Sequence, residues 1–241
     1  MGKKILSILF ALCGSVSFAQ NINPAEISKV SIEGSRKQVK LAKEYSEKYA
    51  LNYRGELEIV TIKEYPGKTK HDLWVKIQNW ILSSSSNSQS SVQLMDETLG
   101  IIIERCFIPE IAKRSMGDNS YKVSIRPMLK FEFKDGRIRF TFSLQNYEVL
   151  KKNDDGGYGL LLSGGVVITG NGVAKDNMIW KLTECYPFKE NYNEEVENDI
   201  FRPKVTSSRA YINTIACYKV LLDQMDEVIN KVDEDNDDSN W

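Results

Sequence analysis

An Asp-Gly dipeptide, Asp135-Gly136, sits inside residues 121 to 149 (YKVSIRPMLKFEFKDGRIRFTFSLQNYEV), where apolar and polar side chains alternate on both sides of it. Such alternation puts one face of an extended ribbon in a core and the other in water, and Asp-Gly closes a two-residue hairpin. With Asp135 and Gly136 as the central residues of a type I′ turn, the register follows by counting. Lys134 faces Arg137, Phe133 faces Ile138, Phe131 faces Phe140 and Leu129 faces Phe142, so every apolar residue meets an apolar residue. The other face pairs Glu132 with Arg139 and Lys130 with Thr141, and is wet and mostly basic. Further out the phase fails, because Ile125 would meet Asn146. One extra residue near Gln145 or Asn146 restores it, and Pro127, which cannot donate a ladder hydrogen bond, belongs at an edge or at such a bulge. The sequence therefore predicts a bulge there and a bent strand.

The chain opens MGKKILSILFALCGSVSFAQ, with Lys3 and Lys4, an apolar run from Ile5, and Ser17-Phe18-Ala19 before Gln20. This is the pattern of a secretory signal peptide spanning residues 1–19. The run is too short to span a bilayer, and Leu12 is not the small residue that lipidation of Cys13 would want. The formal charge of the 241-residue chain is −1, and loss of Lys3 and Lys4 takes it to −3. A mildly acidic chain carries no strong field for nucleic acid. Cys106, Cys185 and Cys217 allow at most one disulfide; nothing resembles a disulfide framework, and three buried thiols is the preferred reading.

Residues 20–55 form an N-terminal extension with one charged helix, in which Val39, Ala42, Tyr45 and Tyr49 recur at helical spacing. The main domain covers 56–231. Its first strand, Glu56 to Tyr65, stops at Pro66-Gly67. A helix follows, opened by the approximate capping box Thr69/Asp72 and burying Leu73, Trp74, Ile77, Trp80 and Ile81; at roughly 25 cal/mol per Å² its two tryptophans make it the main cover of a sheet. The serine-rich run at 83–91 is a polar connection. Residues 92–96 and 100–107 are short strands joined by a turn in which Asp96 caps and Gly100 takes positive φ. Residues 108–120 read as a polar connection. Residues 151–205 read as a Gly-rich insertion with a short hairpin using Leu160 to Leu162 and Val166 to Ile168. A following excursion packs back through Trp180, Tyr186, Phe188, Tyr192 and Phe201. Ser207 or Ser208 caps a last helix with the stripe Tyr211, Ile215, Tyr218, Leu222, Met225 and Ile229. Residues 232–241 are an acidic tail expected to be disordered.

The blocks PGKTKHDLWVKIQNWI, VQLMDETLGIII and YKVSIRPMLKFEFKDGRIRFTFSLQNYEVL resemble those of an exported bacterial family, domain of unknown function 4468. The resemblance implies a TATA-box-binding-protein-like fold: α+β, a single antiparallel sheet with helices on one face, in the order strand, helix, four strands, helix. The matching positions Thr69, Leu73, Trp74, Trp80, Asp96, Gly100, Asp135, Gly136 and Arg137 all have structural jobs as cap, core or turn, and the family implies no catalytic residue.

The expectation is a non-catalytic binding or interaction module of the periplasm or cell surface. Its candidate site is the basic sheet face of Lys122, Arg126, Lys130, Arg137 and Arg139, with Lys134 and Glu132 beside them. The partner would be an envelope protein or an anionic ligand. Nucleic acid is excluded by export and by the lack of an aromatic wedge on that face; no cofactor, metal or membrane span is expected, and the chain reads as a monomer or weak dimer. A hydrolase has only His71, in the first turn of a helix, for imidazole chemistry, which leaves a carboxylate pair drawn from Glu104, Glu132 and Glu184. A structural protein assembling through a sheet edge or the last helix is the other alternative.

Overall fold

The computed structural model describes residues 35–84, 90–116, 119–153, 166–168, 174–189 and 204–231. In chain order the elements are α1 (Ser35–Lys48), β1 (Leu57–Glu64), α2 (Lys70–Ser84), β2 (Ser91–Asp96), β3 (Ile101–Arg105), β4 (Ile108–Met116), β5 (Asn119–Ile125), β6 (Met128–Lys134), β7 (Arg137–Leu144), β8 (Asn146–Asn153), β9 (Val166–Ile168), β10 (Ala174–Lys181), a 3-10 turn (Leu182–Glu184) and α3 (Lys204–Asn230). The signal-peptide reading, the acidic tail, Leu160 to Leu162, Tyr192 and Phe201 lie outside the described residues. Among the described residues no helix is long and apolar enough to cross a membrane.

The α+β class expected from the sequence is the one found, but with two antiparallel sheets instead of one. The first has the order β1-β7-β6-β3-β2, the second β4-β5-β8-β10-β9. The inner hairpin has the register counted from the sequence: Lys134 faces Arg137, Phe131 faces Phe140 and Leu129 faces Phe142. Its turn is not type I′, because Gly136 takes φ 69 while Asp135 stays out of the left-handed region, the φ pattern of a type II turn. A tether to the preceding turn accounts for this. Asp135 Oδ1 accepts the Lys70 N–H at 2.7 Å, Gly136 N–H donates to Lys68 O at 2.9 Å and Gly136 O accepts the Tyr65 N–H at 2.7 Å.

The predicted extra residue is present. Ser143 faces Met128 in the first sheet while Tyr147 faces Ile125 in the second. Rather than bending within one sheet, the ribbon breaks at Arg126-Pro127 and Gln145 and passes into the second sheet, where the missing N–H of Pro127 costs nothing. Pro127 O accepts the Cys106 N–H at 3.0 Å and ties the break to the end of β3.

Two readings are corrected by the second sheet. Residues 108–116 are not a polar connection but strand β4, which pairs with β5 from Ile108 to Met116. A register shift between Ile108 and Ala112, with Glu110 at φ 50, breaks the alternation that would have identified it. Within the proposed insertion, β10 pairs along β8 from Lys175 to Lys181 and sets Trp180 opposite Tyr147, both buried. The segment completes a sheet; it is not appended to one.

The helices cover one side. At the start of α2 the capping box is reciprocal: Thr69 N–H donates to Asp72 Oδ2 at 3.0 Å and Asp72 N–H to Thr69 Oγ1 at 3.1 Å. The side-chain and then the backbone hydrogen bond from Thr69 hold the Asp72 carboxyl below its usual range. Leu73, Ile77 and Ile81 are fully buried, and Trp80 meets Phe131 edge-on at 6.1 Å. On α3, Tyr218 stacks on Phe140 at 6.2 Å. That helix starts at Lys204, earlier than expected, so Ser207 and Ser208 are buried inside it, and Ser208 Oγ donates back to Lys204 O at 2.8 Å. Its first half is enclosed by α1, β4 and the segment after the 3-10 turn: Tyr211 hydroxyl donates to Tyr49 O at 2.7 Å, Asn213 Nδ2 to Ile111 O at 2.6 Å, and Phe188 lies 4.9 Å from the Tyr211 ring. In the second half Leu221, Met225 and Ile229 are buried, whereas Leu222 of the predicted stripe is only half-buried. Asp226 staples this half to the sheet, accepting from Lys63 and from the Tyr65 hydroxyl, each at 2.5 Å. Burial first, and Asp226 second, push the Tyr65 hydroxyl far above its ordinary pKa.

Candidate functional site

The helices pack on the face of the first sheet that carries Phe131, Phe140 and Phe142; no described helix covers the other face. Strand registers lay out that open face in rows. One row runs Ile62, Arg139, Glu132, Ile101 across β1, β7, β6 and β3, and the next runs Val60, Thr141, Lys130, Ile103. Aliphatic side chains are unusually open here: Ile62 is 60% exposed and Leu99 64%. At one end a cleft of about 360 Å³ is lined by Ile62, Leu99, Ile101, Lys134, Arg137 and Arg139.

The turn between β2 and β3 forms part of its wall. Asp96 Oδ1 accepts the Leu99 N–H at 2.9 Å, as the sequence suggested, and Gly100 takes φ 66. A Cβ at Gly100 would stand 2.5 Å from Lys70 Cε and 3.1 Å from Phe133 O, so only glycine lets the turn lie on the end of β6. Glu132 accepts Lys130 at 3.1 Å and lies 3.7 Å from Arg139. Lys134 and Arg137 have no ion-pair partner among the described residues, and they are the cations the cleft leaves uncompensated.

The segment that builds this face has known relatives. Residues 60–148 match the family described as a domain of unknown function (DUF4468) with TBP-like fold. The match covers β1 through the start of β8 and agrees with the resemblance carried by the sequence blocks. Two solved structures are similar. One is a TBP-like protein from Parabacteroides distasonis ATCC 8503, 13% identical, with TM-score 0.46 over 74% of this chain and 97% of that one. The other is a DUF4468 family protein from Bacteroides ovatus ATCC 8483, 12% identical, with TM-score 0.45 over 78% of this chain and 97% of that one. No curated protein matches this chain.

Within the DUF4468-matching segment, the five residues singled out from the sequence do not form one patch. Lys130, Arg137 and Arg139 share the open face of the first sheet. Lys122 sits on β5 in the second sheet and pairs with Glu110; Arg126 lies in the break between sheets, its Nε 2.9 Å from Glu148 Oε1. Their partners stand on β4 and β8, so the pairings could not be read from the hairpin alone. The face is also less basic and more aliphatic than expected. Ile62, Leu99 and Ile101 are not among the residues expected from the sequence; with Leu57 and Ile59 buried, alternation along β1 turns Val60 and Ile62 to the solvent side.

The carboxylates considered for acid-base work are not brought together. Glu104 is fully buried on the core face, opposite Leu129, whereas Glu132 is on the open face opposite Ile101, and Glu184 sits in the 3-10 turn. His71 is exposed and bonded through Nδ1 to Glu97 at 2.5 Å. Cys106, Cys185 and Cys217 are buried thiols, and none forms a disulfide among the described residues. Burial, then the nearby Glu104 charge, push the Cys106 thiol up to about 12. Among the described residues no group of three or more His, Cys, Asp and Glu side chains could hold a metal ion.

Proposed function

We propose that this chain is a non-catalytic binding module, exported with loss of residues 1–19, that receives an anionic and partly apolar segment of an envelope protein on the open face of its first sheet. The observation that supports this most is the cleft in which Lys134 and Arg137, both uncompensated, stand beside Ile62, Leu99 and Ile101. An exposed ion pair alone is worth about 0–1 kcal/mol, so charge gives direction more than affinity. Covering the aliphatic side chains adds roughly 25 cal/mol per Å², and together the two suit a ligand with a carboxylate next to an aliphatic group.

A peptide array that varies acidic and aliphatic residues independently tests the reading. The wild-type protein is expected to retain peptides carrying both. The Arg137→Glu/Arg139→Glu variant is expected to lose them while its Tm stays within about 2 °C, since both side chains are exposed. Undiminished retention by the variant, or none by the wild type, overturns it. Export is checked by the intact mass of protein recovered from the envelope: a chain beginning at Gln20 supports it and one keeping Met1 refutes it.

A further inference from the structure

A second recess, of about 230 Å³, lies where the ribbon passes from one sheet to the other, walled by the ends of β3 and β7, the starts of β6 and β8, and Ile179 of β10. Most of its charged groups are already engaged. Arg126 holds Glu148 with two nitrogens, at 2.9 and 3.4 Å, and lies 4.7 Å from the centre of the Phe107 ring; Glu56 accepts the Gln145 side-chain amide at 2.7 Å. Two groups are not. Arg105 is exposed and has neither a hydrogen-bond nor an ion-pair partner among the described residues. Ser143 is only 8% exposed, lines the recess, and its hydroxyl likewise has no partner among the described residues.

Register puts these two groups on the same face. Arg105 lies opposite Met128, and Met128 opposite Ser143, so the cation and the hydroxyl flank one methionine. Two strand spacings separate their backbones, about 10 Å. Both line the recess with Met128 between them, so a carboxylate over Met128 lies within reach of a long, flexible guanidinium on one side and of the hydroxyl on the other. Beyond it Ile179, 58% exposed, offers an aliphatic wall.

We infer that this recess binds an apolar monocarboxylate, its carboxylate over Met128 between the Arg105 guanidinium and the Ser143 hydroxyl and its hydrocarbon against Ile179. Glu56 and Glu148 on the walls repel a second negative charge, so the site selects a monoanion over phosphate. The Ser143 hydroxyl opens on the recess and has no partner among the described residues, so it can donate to such a ligand without giving up an internal hydrogen bond. The site is separate from the cleft at the other end of the sheet and does not depend on it.

The test is an NMR titration of the full isotope-labelled protein with N-acetyl-leucine and, in parallel, with N-acetyl-leucinamide. The acid is expected to shift the amides of Arg105, Met128 and Ser143 and to bind at least ~10-fold more tightly than the amide, the scale of one charge-assisted hydrogen bond. Arg105→Gln is expected to bring the acid down to the amide's affinity, and Ser143→Ala to weaken it by roughly 3- to 10-fold. Arg137→Glu/Arg139→Glu, on the other cleft, is expected to leave the titration unchanged. Equal binding of acid and amide, no shift with millimolar acid, or undiminished binding to a folded Arg105→Gln protein would overturn the assignment.

Discussion

Phe131→Ala is expected to lower the free energy of unfolding by about 3–5 kcal/mol, the cost of a large aromatic-to-alanine change in a packed interior. Phe131 is fully buried, stacks on Phe140 at 5.0 Å and receives the edge of Trp80 from α2. Its removal empties the centre of the layer between sheet and helices, and α2 cannot slide in to refill it because the capping box and the Lys70 bond to Asp135 fix that helix at its start. Urea denaturation followed by circular dichroism measures the loss. A change below about 1 kcal/mol, the range of ordinary surface substitutions, would mean that the ribbon is not the floor of this core.

Trp180→Ala is expected to cost a similar ~3–5 kcal/mol and, more informatively, to shift the unfolding of both sheets together. Trp180 is fully buried, packs against Tyr121 at 6.3 Å and faces Tyr147 across the β8–β10 ladder. Because β5–β8 and β6–β7 are successive halves of one ribbon, the second sheet cannot open without pulling on the first. In this variant Trp74 and Trp80 of α2 are the buried tryptophans left among the described residues, and their fluorescence, which reports on the first sheet, is expected to move to the same lowered midpoint as circular dichroism. A tryptophan signal that stays at the wild-type midpoint would make the second sheet an independently folding unit. Trp180→Phe provides the control. The buried Trp180 Nε1 has no hydrogen-bond partner among the described residues, so phenylalanine removes an unsatisfied donor and costs less than alanine.

The hairpin was legible because its pattern is local: period-two alternation fixed the faces, and the change of phase after Leu144 counted the extra residue. What it could not give was the destination of the outer half. A bulge within a sheet and a passage between sheets use the same residues, and the choice depends on β4 and β10, which pair from outside. β4 was hidden because Pro109-Glu110-Ile111 break its alternation and Lys113, Arg114 and Ser115 look like loop. The start of α3 was misplaced for the opposite reason. Ser207 and Ser208 read as caps by composition, yet the helix there is enclosed on nearly every side, so burial, not capping, sets their role.

For the binding surfaces, alternation correctly placed Lys130, Arg137 and Arg139 on one face. It said nothing of which cations are spent, since Glu110 and Glu148 reach Lys122 and Arg126 from other strands. A single arginine at a strand end, as Arg105 is, carries no sequence signal; it stands out only through its lack of a partner beside Ser143.

Two of the buried thiols, Cys106 and Cys217, are held in an unreactive form by the fold. Cys106 and Cys217 are both pushed up in pKa by burial, above all other causes, so almost no thiolate exists near neutral pH. Alkylation then has to wait for the protein to open. Cys106 stands at the sheet junction and Cys217 inside α3, so the order in which a maleimide reaches them is a clock for which part of the molecule comes apart first.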